Sequence, residues 1–180
     1  MKKTLFALSF LMITGISFAQ KKTTSSATVT FDATTDKDAL PKATNNTVNG
    51  SINTTTGAIA FEAMVANFAF SNPKIQEHFN GEKWMNSAEW PKFSFQGKIT
   101  KLSDINFTKN GTYTATVSGK LSIKDKSKEV RTPVTVVIAD GKISATSSFT
   151  IKLADYDIKG VPIEAGKVAP EPKISVSASF

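Results

Sequence analysis

Cysteine is absent from the chain, and histidine and arginine occur once each, as His78 and Arg131. Without cysteine there are no disulfides, no thiolate metal sites and no lipidated thiol, so stability has to come from packing and backbone pairing. With one histidine, the many serines lack the base that a serine nucleophile needs. No G-x-S-x-G run occurs, and no glycine loop that could cradle a phosphate. Glu77, His78 and Glu82 make a poor ligand set for a transition metal, and His78 beside Phe79 reads as a packed or capping residue. Asp155 and Asp157 could be offered as paired carboxylates, but Gly160 and Pro162 follow and put them in a turn. Neither an enzyme nor a metal protein is expected. Nucleic-acid readers favour arginine for bidentate contacts, so a chain with one arginine is not expected to bind nucleic acid.

After the first twenty residues no apolar run is long enough to span a bilayer. The start itself has Lys2 and Lys3, an apolar stretch from Leu5 to Ile16, and Ser17-Phe18-Ala19 before the expected cut. That pattern is a secretory signal peptide over residues 1–19. It leaves a domain over residues 20–180, periplasmic or secreted, of 161 residues (180 minus 19), enough for one core. The net charge of +7 is nearly all lysine. The densest basic run, Lys120, Lys124, Lys126, Lys128 and Arg131, reads either as a solvated hairpin or as a site of attraction for an anionic headgroup or membrane surface.

What the chain does have is alternation. Residues 20–26 look like a flexible lead-in. Eight runs of period two follow: Val29–Ala33, Val48–Ile52, Ile59–Ala63, Phe93–Ile99, Tyr113–Ile123, Val130–Ile138, Ile143–Leu153 and Ile174–Phe180. Asn110-Gly111 and Asp140-Gly141 read as hairpin turns, with a weaker turn signal at Lys124-Asp125-Lys126-Ser127. The fold expected is all-β: an eight-stranded antiparallel barrel, which leaves no open edge, with a two-sheet sandwich as the alternative. Only residues 73–86 break the period. Ile75, His78 and Phe79 fall at helical spacing, Asn72 can cap and Pro73 suits the first turn, so a short helix is expected there.

Aromatic residues crowd the stretch from Phe68 to Phe95. They could plug the end of a filled core. The inward positions at mid-strand are small, however: Ala115, Gly119, Ala145, Ser147 and Ala178. Small residues there favour a hollow, apolar interior, since an eight-stranded barrel has room for side chains or for one ligand.

His78-Phe79, Trp84-Met85-Asn86 and Glu89-Trp90-Pro91-Lys92-Phe93-Ser94-Phe95 are similar to the helix, aromatic-Pro pair and Phe-containing strand of the YceI-like family, which the order of three motifs resembles. Gly119-Lys120-Leu121-Ser122-Ile123 with Ser127-Lys128-Glu129-Val130 is similar to its long hairpin. Phe149-Thr150-Ile151 through Asp155-Tyr156-Asp157-Ile158 is similar to its penultimate strand and turn. The resemblance runs from about Val48 to the C-terminus; Asp125 and the segment 36–46 depart from the family pattern. It implies an exported, elongated lipocalin-like antiparallel barrel that holds a long isoprenoid or fatty amphiphile in its tunnel. Combined with the inward strand faces, it makes Phe31, Phe61, Phe68, Phe70, Phe79, Trp84, Trp90, Phe93 and Phe95 candidate lipid contacts. Tyr113, Val117, Gly119, Leu121, Ala145, Phe149 and Ile151 complete the set. No cofactor is expected beyond the bound lipid or polyprenyl ligand. Transient contact with a membrane surface and a monomeric or homodimeric state are the expected associations. A structural or adhesive protein with a filled core and no ligand stays open as the other reading.

Overall fold

Alternating sequences resolve into strands whose apolar side has to be covered and whose polar side meets water. The computed structural model describes residues 21–180, so the expected leader lies outside them. Within them run β1 (Lys21–Asp32), β2 (Lys42–Asn53), β3 (Ala58–Met64), β4 (Ala69–Phe70), β5 (Lys92–Thr100), β6 (Gly111–Ile123), β7 (Lys126–Ala139), β8 (Lys142–Thr150) and β9 (Lys173–Ser179). The sheet order is β1-β9-β8-β7-β6-β5-β3-β2, and β1 also pairs with β2, so the sheet closes on itself as an eight-stranded antiparallel barrel. Two-residue β4 is a short addition beside the start of β2. Closure leaves no second sheet to stack, which sets the sandwich aside.

The helix forms where the alternation stops. In α1 (Pro73–Asn80), Asn72 caps by accepting the Lys74 N–H at 2.9 Å, and proline takes the first position. Asp140-Gly141 is a two-residue hairpin turn with φ of 49° and 76°, as positive-φ residues require.

Three expectations need correction. Residues 21–26 are not a lead-in: Lys21 to Thr24 pair in register with Asn53 to Gly50, and the Lys22 ammonium donates to the Gly141 carbonyl at 2.7 Å. The stretch shows no apolar alternation because its job is backbone pairing at the barrel's seam. Asn110-Gly111 is not a tight turn. It ends a ten-residue connection between β5 and β6, and the Asn110 side chain bonds Asp140 through both its atoms, at 3.0 and 3.1 Å. The asparagine thus braces the neighbouring hairpin. His78 is exposed rather than packed.

Buried side chains gather at the two ends of the barrel. Around Ile52, Ile99, Val136 and Ile143 lies one cluster; the other joins Phe79 of α1 to Leu153, Tyr156 and Ile158. The latter three belong to the excursion between β8 and β9, which contains the short α2 (Val161–Glu164). Asn45, fully buried in β2, is satisfied: it donates to the Met64 carbonyl and accepts from the N–H and hydroxyl of Thr47, each at 2.9 Å.

Tyr156 is 2 % exposed. Burial, with a lesser push from Asp155, raises its pKa to about 12. In the unfolded chain it ionises near its ordinary value of 10, so between these limits the unfolded state loses protons first. The contribution is fully present below about pH 10 and is lost as pH rises through about 12. Chemical denaturation at stepped alkaline pH should show stability falling over that window, and Tyr156→Phe should flatten the slope. An unchanged slope would place the alkaline sensitivity elsewhere.

Candidate functional site

The inward faces of all eight barrel strands line one cavity of about 180 Å³, and no charged residue contributes to the wall. Phe31, Phe61, Phe93, Phe95 and Phe149 point inward by alternation yet are only half-buried, because part of each ring faces this space rather than a packed neighbour. Ser94, Thr132, Thr146 and Ser147 are its only polar lining residues. The Ser147 hydroxyl donates to the Pro133 carbonyl at 2.7 Å, which leaves it to accept from Thr132 at 3.0 Å. Both hydroxyl hydrogens are therefore held within the wall, and the interior offers almost pure hydrocarbon.

Empty apolar space is costly. At about 24 cal/mol per Å³, a void of this size forfeits roughly 4 kcal/mol relative to a filled one. An apolar occupant recovers that, at ~0.8 kcal/mol for each methylene taken from water.

The glycines do not contribute the open space that the sequence suggests. Gly97 and Gly119 are register partners on β5 and β6. A Cβ on Gly119 would collide with the Gln96 carbonyl oxygen and Gly97 Cα, and would lie 2.8 Å from the Phe95 ring. A Cβ on Gly97 would be 2.7 Å from the same ring, and one on Gly50 2.6 Å from the ring of its partner Phe61. These glycines are seats for Phe61 and Phe95, whose rings lean along the wall and so form part of the lining.

At the α1 end the aromatic side chains form a plug. Phe79 is 7 % exposed, with ring centroids 4.9 Å from Phe70, 6.1 Å from Phe68 and 6.3 Å from Phe31. Phe68 in turn meets Phe93 at 5.7 Å. Trp84 and Met85, after the helix, complete the wall there. Beside them is the β6–β7 turn, where Lys126 reaches Asp125 at 2.9 Å and Asp157 at 3.4 Å. The hydrogen bond from Lys126 lowers the Asp125 pKa, and the bond to Asp125 raises that of Lys126.

Twelve of the sixteen candidate contacts line the cavity: Phe31, Phe61, Phe68, Phe79, Trp84, Phe93, Phe95, Val117, Leu121, Ala145, Phe149 and Ile151. Four do not. Phe70 backs Phe79 from outside the wall. Trp90, half-buried, sits in the turn before β5. Tyr113 packs with the cluster at the opposite end and donates its hydroxyl to the Lys109 carbonyl at 3.0 Å. Gly119 is covered by Phe95. Most lining residues beyond the candidate set, such as Val29, Ile52, Val134 and Val176, lie on the alternating faces and were open to the same parity argument. Ile158 comes from an irregular segment, where no periodic signal exists. Asp155 and Asp157 stay apart from the cavity, Asp157 at φ 55° after the helical turn Leu153–Tyr156. Among the described residues, no cluster of three His, Cys, Asp or Glu side chains could hold a metal ion.

A family model described as YceI-like domain matches residues 16–180. The structure is similar to that of BcnA from Burkholderia cenocepacia, with TM-score 0.71 and 18% identity over 86% of this chain and 96% of that one. A polyisoprenoid binding domain from Saccharophagus degradans superposes with TM-score 0.75 and 10% identity, covering 89% of this chain and 97% of that one. A YceI protein of Campylobacter jejuni gives TM-score 0.55 and 15% identity over 99% and 93% of the two chains. At these identities the likeness is one of fold. No curated protein matches the sequence.

Proposed function

The chain belongs to the YceI-like family, and on that premise we propose that it binds a long-chain isoprenoid or fatty amphiphile in the barrel, for carriage or storage. The observation that carries this reading is the cavity: closed by strands on all sides, uncharged and lined by hydrocarbon. A five-carbon prenyl unit can contribute several kcal/mol at ~0.8 kcal/mol per methylene, before ordering costs are subtracted. The similar barrel described as polyisoprenoid binding supports the ligand class. A binding role without catalysis fits a lining that offers its hydroxyls no base. The signal-like N-terminus supports a periplasmic or secreted location, where such a chain needs cover from water. Transient membrane contact is supported at the α1 end. There Val161, at the start of α2, and Leu40 are 75% and 44% exposed, in segments tied together by the bonds of Thr35 to Gly166 and Lys37 to Ala165.

Organic extraction of the purified protein, followed by mass spectrometry, should recover a prenyl or long acyl amphiphile in stoichiometric amount. The two tryptophans add a positional check, because Trp84 lines the cavity and Trp90 does not. Adding geranylgeraniol to stripped protein should change the emission, and Trp84→Phe should abolish the change while Trp90→Phe keeps it. An empty extract together with unresponsive emission would rule the reading out.

A further inference from the structure

The cavity wall has no charged residue, so any polar head of an amphiphile must be met at the rim. Among the lysines of the basic run, one reaches that rim. Ile123, buried and lining the cavity, directly precedes Lys124. Lys124 is half-buried, and its ammonium donates to the carbonyl of Trp84, another lining residue, at 3.1 Å. An ammonium has three donors, and this bond uses one. Lys126, two residues on, is neutralised by Asp125 and Asp157. Lys124 makes no ion pair among the described residues; Asp125 feels its charge but gives its carboxylate to Lys126. Lys120, Lys128 and Arg131 are exposed, and none has a described side-chain hydrogen bond to a cavity-lining residue.

The backbone makes the choice of lysine more informative. Lys124 has φ 55°, a left-handed position that Gly, Asn or Asp takes at less cost. Turn chemistry therefore does not explain a lysine here.

We propose that Lys124 at the α1 rim binds the anionic head, phosphate or carboxylate, of the amphiphile whose chain fills the barrel. The proposal rests on the lipid-binding reading and narrows it from amphiphiles in general to those with an anionic head. The ammonium gives charge-assisted hydrogen bonds, while the chain below it reads length and girth alone.

Calorimetric titration of the stripped full chain tests this with matched probes. Geranylgeranyl monophosphate should bind about tenfold more tightly than geranylgeraniol, and raised ionic strength should shrink that ratio. Lys124→Asn should bring the ratio near one and leave the alcohol's affinity unchanged. Asparagine tolerates the left-handed turn, so folding is not the confounder. Lys124→Arg should retain the preference, and Lys126→Asn should not remove it. A parallel pair, palmitate and hexadecanol, separates the heads: a Lys124-dependent gain for both anions means a general anion site, and a gain for the phosphate alone means a phosphate site. A ratio near one in the wild type, or one untouched by Lys124→Asn, overturns the proposal. So does equal loss of alcohol and phosphate binding at unchanged melting temperature, which would make Lys124 a support for Trp84. If neither geranylgeranyl probe nor palmitate binds the wild type, the lipid-binding reading itself fails.

Discussion

Gly119→Ala is expected to destabilise the barrel by about 1 to 3 kcal/mol, read as a drop in melting temperature of roughly 2 to 12 °C at about 2–4 °C per kcal/mol. The sign is what makes the result informative. Glycine in a strand is usually a weakness, and replacing it with alanine where the backbone permits stabilises by about 0.4–1 kcal/mol. Here the added methyl would meet the Gln96 carbonyl oxygen, Gly97 Cα and the Phe95 ring. The ring can move, but the paired backbone cannot without breaking register. Phe95→Leu in the same chain should therefore restore only part of the loss. If Gly119→Ala melts at or above the wild-type temperature, the glycine is open to the cavity and the seat described for Phe95 does not exist.

Ala145→Leu should act on the ligand instead. Ala145 on β8 lines the cavity, and its cross-strand partner Ala178 on β9 does not, being 3 % exposed within the packed core. A leucine at 145 extends into empty space. It should leave the melting temperature of stripped protein unchanged or raise it by a few degrees, since added buried methylenes stabilise at ~0.8 kcal/mol each. Bound lipid after expression should fall several-fold or shift to shorter chains. Ala178→Leu has no such space and should cost about 1–3 kcal/mol. Ser148→Leu, exposed on the opposite face of the strand and outside the cavity lining, should alter neither quantity. A large loss of stability in Ala145→Leu with lipid content unchanged would mean that the interior is filled and the ligand, if any, lies elsewhere.

The barrel was legible because its signal is periodic. Each of the eight runs puts one apolar face inward, and eight such faces with turns between them leave few ways to hide the apolar side. The helix was legible from the break in that period and from Asn72 and Pro73. Where the sequence misled, the missing information was a neighbour. Lys21 to Thr24 carry no apolar pattern, yet pairing with β2 makes them part of the strand that closes the sheet. Trp90 and Tyr113 are aromatic and close in sequence to true lining residues, but one sits in a turn and the other packs at the far end.

Composition and alternation by themselves determined the class of fold and the parity of each strand, since these depend on residue type and local spacing. The tertiary structure alone decided which small residues are space and which are seats. Ala145 and Gly119 both follow the inward period, yet one faces the cavity and the other lies beneath Phe95. That distinction arises from the lean of a ring on the next strand and from the close approach of two glycine backbones, and neither is encoded at the position itself. The same holds for Lys124, one lysine among several in its run, set apart only by where closure of the barrel brings Trp84.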